Sequence, residues 1–500
     1  MKNILLLLLF FIISCTNNNR EEIKFRILHM NDTHSKNKEF IKVSKDKTYT
    51  NIYGGASRRK TFIDEYRSTN DNVILMHAGD TIAGSVFSIV YLGLDEVQIM
   101  NDIGFDVATL GNHEFDFGVS QLDKVIESRH FPTIACNVYF IGTTNRYVKP
   151  YIITNINGAN IAIVGVLQSE KRNIMDGLDI LEIEDEVDSL KKLLKEVPLK
   201  STNDVLILLS HSGIDVDKKI ATDIPNTFNI IVGGHSHTLL KEPIFIKNTM
   251  IVQAGEYGEY IGAIDVKFKN NKYSSSDYKL VRLDENIKED KTMLATISNM
   301  QIEVDKRFNI AIANLSENLL DDNIRSESVA LGNFVADVVE ASQDSIDIAL
   351  VNSGSLRGSL YSGNVTLGNI YEFFPFDNLI VLTTIDGKLL KRILELSASS
   401  RGEGAFMQIS KNATVYFDSN GNILDCYIKG EKVEDNKKYT VAVADYIFGG
   451  GENYIDENGK PLFQYGDNVI HTGVDMRDLI IKSLKEGSIE IDNKERIIFN

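Results

Sequence analysis

The stretch GNHEFDFG, residues 111–118, places an amide, an imidazole and two carboxylates on one short turn between glycines. Similar side chains recur in NDTH (31–34), HAGD (77–80), SHSG (210–213) and GGHSH (233–237). Imidazole, carboxylate and amide oxygen without thiolate suit Zn²⁺, Mn²⁺ or Co²⁺ better than a soft metal, and the set has too much nitrogen for Ca²⁺. The five turns therefore predict a metal centre.

The spacing inside these turns suggests how the candidate ligands are shared. Asp32 and His34 stand at alternate positions, as do His235 and His237, so each pair points to one side of an extended turn. Two adjacent metal ions with four donors each would need a common ligand. A carboxylate has two oxygens, and Asp80 stands alone at its strand end, so it is the natural bridging candidate.

Every one of these turns directly follows a short apolar run, such as VILM at 73–76 or VLILL at 205–209. Runs without alternation are typical of strands buried on both faces, which indicates a layered α/β architecture. Helical patterns lie between them, for example at 119–129 and 184–197. Sheets of this kind bind ligands at the carboxyl edge of their strands, so we expect the five turns to converge.

Residues 286–310 differ in composition from the segments before them. The segment is charged, and its apolar residues recur at helical spacing: Met293, Ile297, Met300, Val304 and Phe308. We interpret the segment as a helix that connects two lobes. A second α/β pattern follows it, with apolar runs at 345–351, 379–385 and 438–444.

Composition narrows the class of protein. A chain of 500 residues is too long for one hydrophobic core, and 43% hydrophobic with 25% charged residues is ordinary for a folded protein. A formal net charge of -17 argues against binding of polymeric nucleic acid or of anionic membrane surfaces. An anionic substrate would need local positive charge from metal ions and arginines. Cys136 and Cys426 form no CxxC pair, so neither a disulfide framework nor a thiolate metal site is expected.

Residues 1–15 have the form of an export signal. Lys2 precedes an apolar run that ends in Ile-Ile-Ser-Cys at Cys15, and the run is too short to cross a bilayer. The segment resembles a bacterial lipoprotein signal, which would make Cys15 the lipidated first residue of the mature chain and residues 16–22 a tether. The alternative is a plain secretory signal. We expect an exported protein at the periplasmic face of a membrane or at the cell surface, attached to the membrane only through this lipid.

The five turns, in this order and with the FDFG extension, resemble those of the calcineurin-like metallophosphoesterases of the 5′-nucleotidase family. The resemblance implies a four-layer αββα phosphoesterase domain at 23–285, a linker helix at 286–310 and a C-terminal α/β nucleotide-binding domain at 311–500. It also implies two divalent metal ions. One would be held by Asp32, His34, Asp80 and His237, and the other by Asp80, Asn112, His211 and His235. Many relatives have Gln or Asn in place of His237.

The resemblance also assigns catalytic roles in the opening stretch. His113 would point across the metal pair towards the phosphoryl group. Asp116 would orient His113 and hold it protonated, which raises its pKa. Glu114 is expected to support the turn.

The second lobe resembles the nucleotide-binding domain of the family at residues that would contact substrate. Phe376 and Tyr446 match two aromatic residues that sandwich a nucleobase, and flat rings gain stacking energy from any base. The sequence departs from the family pattern at Tyr446, Ser328 and Glu452. The other predicted contacts are polar or charged: Arg325, Asn352, Arg357, Asn378 and Glu452.

These inferences predict an α/β metal-dependent hydrolase that removes phosphate from nucleoside 5′-monophosphates through a hydroxide bridging two metal ions. Nucleotide sugars, diphosphates and triphosphates are further candidate substrates. One alternative is a 2′,3′-cyclic-nucleotide phosphodiesterase with 3′-nucleotidase activity. A non-enzymatic alternative is a nucleotide-binding surface lipoprotein. The sequence leaves the native metal, the base preference and the choice between monomer and homodimer open.

Overall fold

A computed structural model describes residues 23–43, 50–156, 158–169, 180–269, 272–487 and 491–500. The predicted signal, Cys15 and the tether lie outside these residues. Within them, no helix combines the length and the apolar composition that a membrane crossing requires.

The N-terminal lobe contains two six-stranded sheets, ordered β16-β15-β1-β4-β5-β6 and β13-β14-β12-β11-β9-β8. Two short pairs, β2-β3 and β7-β10, lie outside them. The strands are β1 Ile23–Met30, β2 Glu39–Val43, β3 Thr50–Gly54, β4 Val73–His77, β5 Val107–Thr109, β6 Thr133–Ile134, β7 Val138–Phe140, β8 Tyr151–Ile156, β9 Ala159–Leu167, β10 Leu181–Ile183, β11 Val205–His211, β12 Ile230–Val232, β13 Ile244–Ile246, β14 Thr249–Val252, β15 Tyr260–Lys269 and β16 Lys272–Arg282. The helices are α1 Ala56–Thr69, α2 Val86–Tyr91, α3 Leu94–Ile103, α4 Val119–Ser128, α5 Glu186–Glu196, α6 Leu199–Thr202, α7 Ile214–Asp223 and α8 Lys291–Phe308.

The two sheets pack face to face, and helices cover their outer faces. Alternate residues of β1 show this directly: Phe25 and Ile27 enter the core between the sheets, whereas Leu28 and Met30 enter the core under the helices. Side chains of a strand alternate between its faces, so a run of apolar residues is required when both faces are covered. The predicted αββα layering is confirmed.

The predicted connecting helix is α8, and its buried residues are the five members of the apolar stripe. They join the core formed by α1, α2, α3 and the first sheet, so α8 belongs to the outer helical layer of the N-terminal lobe. Its last residue also touches the second lobe, because the Phe308 ring lies 5.1 Å from that of Tyr371.

The C-terminal lobe has its own core, formed by residues between 312 and 497. A five-stranded sheet, β21-β18-β25-β20-β26, and a four-stranded sheet, β24-β23-β22-β27, accompany the pair β17-β19. Its strands are β17 Ala311–Leu315, β18 Ile348–Asn352, β19 Gly363–Thr366, β20 Leu379–Asp386, β21 Met407–Ile409, β22 Ala413–Phe417, β23 Ile423–Ile428, β24 Glu431–Lys432, β25 Lys438–Ala444, β26 Asp467–Asp475 and β27 Ile497–Phe499. Its helices are α9 Ala330–Glu340, α10 Leu367–Phe373, α11 Gly387–Ser399, α12 Asp445–Phe448 and α13 Met476–Glu486.

Candidate metal centre and active site

The five polar turns lie at the carboxyl ends of parallel strands in both sheets. β1, β4 and β5 run parallel in the first sheet, and β11 and β12 run parallel in the second. Because the sheets pack face to face, their turns meet at one end of the sandwich. The two sheets together therefore position the candidate ligands.

The backbone of these turns is unusual. Several candidate ligands that are not glycine adopt positive φ angles, a conformation that costs L-residues about 1–2 kcal/mol. They are Asp32 (51°), His34 (50°), Asp80 (54°), His235 (74°) and His237 (55°). Glycines permit the close approach: a Cβ on Gly111 would lie 2.2 Å from Oδ1 of Asp80.

The first cluster consists of Asp32, His34 and His237, whose ligand atoms all lie within 4.8 Å of one another. Nε2 of His237 lies 3.3 Å from Oδ1 of Asp32 and 3.2 Å from Nε2 of His34. Asp32 and His34 are almost fully buried. Two imidazoles and a carboxylate converging on one point are a donor set suited to a divalent cation.

The second cluster consists of Asp80, His211 and His235, with ligand atoms also within 4.8 Å of one another. The amide oxygen of Asn112 joins it, 3.3 Å from Nε2 of His211 and 3.1 Å from Nδ1 of His235. His211 Nδ1 lies 2.7 Å from the carbonyl of Ala78. When Nδ1 donates its proton to this carbonyl, Nε2 is unprotonated and its lone pair faces the cluster.

Asp80 lies between the two clusters. Its Oδ2 is 3.1 Å from Nε2 of His211 and 3.8 Å from Nε2 of His34. One carboxylate thus faces donors of both groups. The donor chemistry and this placement fit two neighbouring divalent ions that share Asp80.

His113 stands beside the clusters and is paired with Asp116. Nδ1 of His113 lies 2.7 Å from Oδ2 of Asp116, and its backbone N–H donates to Oδ1 of Asp80 at 2.9 Å. Burial alone would lower the pKa of His113, but the charges of Asp116 and Asp80 and the hydrogen bond to Asp116 raise it above its usual value. The pair can therefore present a cation beside the clusters.

Glu114 holds this turn against the one that carries Asp80. Its carboxylate accepts hydrogen bonds from the backbone N–H groups of Asp80 (2.9 Å), Thr81 (2.7 Å) and Gly111 (2.5 Å). The buried guanidinium of Arg129 lies 3.8 Å away and offsets its charge. Glu114 thus fixes the backbone beneath Asp80.

Two predicted substrate contacts of the C-terminal lobe reach this centre. The Phe376 ring lies 5.8 Å from that of His113, and the guanidinium of Arg357 lies 5.4 Å from the Phe376 ring. Nε of Arg357 donates to the carbonyl of Gly354 at 2.7 Å, which orients the guanidinium. Arg357 and Phe376 line one small cavity together with His34, His113, Tyr257 and Gly84. The two lobes therefore enclose the site jointly.

The other predicted contacts are placed as follows. Asn352 is buried at the end of β18, and Asn378 is buried with its carbonyl accepting from Met476 N–H at 3.0 Å. The hydroxyl of Tyr446 accepts from the Glu452 N–H at 3.3 Å. Arg325 is half-buried. Burial raises the pKa of the Tyr257 hydroxyl, and the positive charge of Arg325 partly opposes this shift.

The expected sandwich between Phe376 and Tyr446 stays a prediction. Phe376 packs on His113 of the N-terminal lobe, whereas Tyr446 packs on the core of its own lobe.

Two residues of this region were missed from the sequence. Glu256 and Tyr257 follow β14, a sixth strand whose carboxyl end reaches the same edge. Tyr257 lies 5.8 Å from His34 between ring centroids and lines the same cavity as Arg357. Their position could have been recognised from the sequence, because VQAGEYG at 252–258 is another polar turn after an apolar run. Unlike the other five turns, it contains no histidine.

The layered fold and the paired clusters are features of a metallophosphoesterase with two candidate metal sites. Comparison with known proteins agrees: residues 25–239 match the calcineurin-like phosphoesterase model, and residues 304–457 match the model of the 5′-nucleotidase C-terminal domain. The chain belongs to the calcineurin-like phosphoesterases that carry a 5′-nucleotidase C-terminal domain.

Individual relatives align over most of the chain. A snake venom 5′-nucleotidase of Gloydius brevicauda is 28% identical over 86% of this chain and 81% of its own length. A 5′-nucleotidase of Vibrio cholerae is 27% identical over 94% of this chain and 91% of its own. The crystal structure of a 5′-nucleotidase precursor from Thermus thermophilus shares the fold, with a TM-score of 0.82, 24% identity and coverage of 95% of this chain and 99% of that one. The chain is a metal-dependent phosphoesterase, which favours the hydrolase over the binding-protein alternative.

Proposed function

We propose that the chain is a 5′-nucleotidase, which removes phosphate from nucleotides at the two-cluster site. The observation that carries the proposal is the convergence of the clusters on Asp80, with Arg357 and Phe376 of the nucleotide-binding lobe facing the same point. The relatives named 5′-nucleotidase support the choice of substrate class.

The distances support the proposed ligand sets. The first ion would be held by Asp32, His34, Asp80 and His237, and the second by Asp80, Asn112, His211 and His235. When bound, two divalent ions activate water as a nucleophile near neutral pH and neutralise charge on the phosphoryl oxygens. Zn²⁺, Mn²⁺ and Co²⁺ all suit this donor set.

His113 would act on the phosphoryl group from beside the ions. Asp116 holds the ring through Nδ1, so the free Nε2–H can donate to an oxygen of the transition state or to the leaving oxygen. The pKa of His113, raised by the charges of Asp116 and Asp80, favours the protonated ring. Asp116 orients the ring and balances its charge.

The C-terminal lobe would select nucleotides. The Arg357 guanidinium supplies a forked donor for phosphate oxygens within a chain of strongly negative net charge. Phe376 and Tyr446 would hold the base, and Arg325, Asn352, Asn378 and Glu452 would complete the contacts. Because stacking accepts every base, this lobe is expected to tolerate several nucleotides.

A substrate panel on protein loaded with Mn²⁺ tests the proposal. AMP, UDP-glucose and 2′,3′-cyclic AMP would be assayed side by side, and we expect the highest kcat/KM for AMP. Preference for 2′,3′-cyclic AMP would instead support the phosphodiesterase alternative. Tight AMP binding without turnover of any ester would refute the proposal.

We also propose that the chain is exported and lipidated at Cys15, on the strength of its N-terminal sequence. Expression with a radiolabelled fatty acid should label the wild type and leave Cys15→Ser unlabelled. Equal labelling of both proteins, or of neither, would contradict this.

A further inference from the structure

Glu256 lies on a turn built against the first cluster. The backbone N–H of Tyr257 donates to the carbonyl of Asp32 at 2.7 Å, which fastens the turn to a candidate ligand. Gly255, Tyr257 and Gly258 have φ angles of 74°, 57° and 67°, so the chain reverses sharply here. The reversal leaves the Glu256 carboxylate next to the ring of His237.

The contact between Glu256 and His237 is specific to one ring nitrogen. Oε2 of Glu256 contacts Nδ1 of His237, while Nε2 of the same ring faces Asp32 and His34 at 3.3 and 3.2 Å. The His237 side chain is 6% exposed and that of Glu256 is 29% exposed. Nδ1 therefore faces the carboxylate, and Nε2 faces the cluster.

A neutral imidazole carries one proton, and only its unprotonated nitrogen can bind a metal. A carboxylate at Nδ1 accepts that proton in a hydrogen bond, leaves the lone pair on Nε2 and makes the ring a stronger donor. The carbonyl of Ala78 has the same relation to Nδ1 of His211 in the second cluster. The partner of His237 is a charged carboxylate, whereas the partner of His211 is a neutral carbonyl.

We propose that Glu256 is a positioning residue that fixes the tautomer and orientation of His237 and thereby strengthens metal binding at the first cluster. The inference rests on the proposed metal site. The effect is limited to the ion of the first cluster, because Glu256 contacts His237 of that cluster. In the second cluster, His211 has a separate partner, the carbonyl of Ala78.

The test is a calorimetric titration of metal-free protein with Mn²⁺. Glu256→Gln removes the charge, and its amide can present either an oxygen or an N–H to Nδ1. We expect one of two sites to bind about 10–100-fold more weakly, the usual cost of losing such a partner, and the other to be unchanged. Glu242→Gln, which alters an exposed carboxylate beyond the same histidine turn, is the matched control and should bind like the wild type.

A double-mutant cycle separates orientation from general charge. An amide ligand has no tautomer to select, so in a His237→Asn background Glu256→Gln should change the affinity by less than about threefold. Wild-type affinity in Glu256→Gln, or an equal loss in the His237→Asn background, would overturn the inference. Wild-type protein that binds fewer than two ions would instead refute the proposed metal site.

Discussion

The two lobes contribute to the site in different ways. In the N-terminal lobe, every predicted ligand stands at a strand end or in the turn after it, and all of them meet within two adjacent clusters. In the C-terminal lobe, the predicted contacts are spread over β18, α12 and several loops, and two of them, Arg357 and Phe376, line the cavity beside the clusters. A metal centre can be built into one sandwich, whereas the substrate site depends on how one lobe meets the other.

The lobes also differ in the backbone strain that they carry at the site. The left-handed conformations of Asp32, His34, Asp80, His235 and His237 are concentrated at the ends of the N-terminal strands. Glu452 is the predicted substrate contact with the same conformation, at a φ of 54°. Strain of this kind persists where the surrounding fold holds it, which here is the edge of two packed sheets.

Removal of Asp80 should have the largest effect, because its carboxylate faces both clusters. We expect Asp80→Ala to lose more than about 100-fold in affinity for at least one ion, since even outer partners of ligands contribute 10–100-fold. Metal content after dialysis, measured by mass spectrometry, checks this. Retention of two ions at wild-type affinity would contradict the shared-ligand assignment.

Removal of His113 should separate turnover from metal binding. His113→Ala is expected to keep both ions and to lose about 10²–10⁴-fold in kcat, the usual contribution of a positioned acid. His130→Ala, at an exposed histidine, is the control. Loss of metal from His113→Ala equal to that from Asp80→Ala would show that His113 is a ligand.

The contribution of the C-terminal lobe should appear as a difference between kcat/KM for a nucleotide and kcat/KM for a substrate without a nucleoside. Arg357→Ala is expected to lower kcat/KM for AMP by about 10–100-fold, as for a lost charged hydrogen bond, with less effect on a simple aryl phosphate. Arg392→Ala, which removes an exposed arginine of the same lobe, should leave both values unchanged. Equal damage on both substrates would place Arg357 among the residues that serve the phosphoryl group itself.

The smallest effects are expected at the aromatic residues. Phe376→Leu and Tyr446→Leu should each raise KM for nucleotides by about fivefold or more, because a base stacked on a ring gains about 1–3 kcal/mol. The change should be similar for purine and pyrimidine nucleotides and absent for aryl phosphates. An effect in Phe376→Leu alone would mean that the base rests on one ring.

The sequence by itself determined the strands that precede the polar turns, several helices and the residue types at the site. Continuous apolar runs, the stripe of α8 at helical spacing and the polar turns are local patterns, so neighbouring residues are enough to reveal them. The ligand pairs at 32 and 34 and at 235 and 237 were visible in the same way. The grouping of these turns into two clusters came from resemblance to a family.

Only the tertiary structure decided which atoms face one another. His34 and His237 are 203 residues apart, and their rings meet because two sheets pack face to face. Glu256 and Tyr257 also follow an apolar run, but their partners lie in a distant turn and in the other lobe. Contacts of this kind depend on the packing of whole layers and lobes, and no short stretch of sequence encodes that packing.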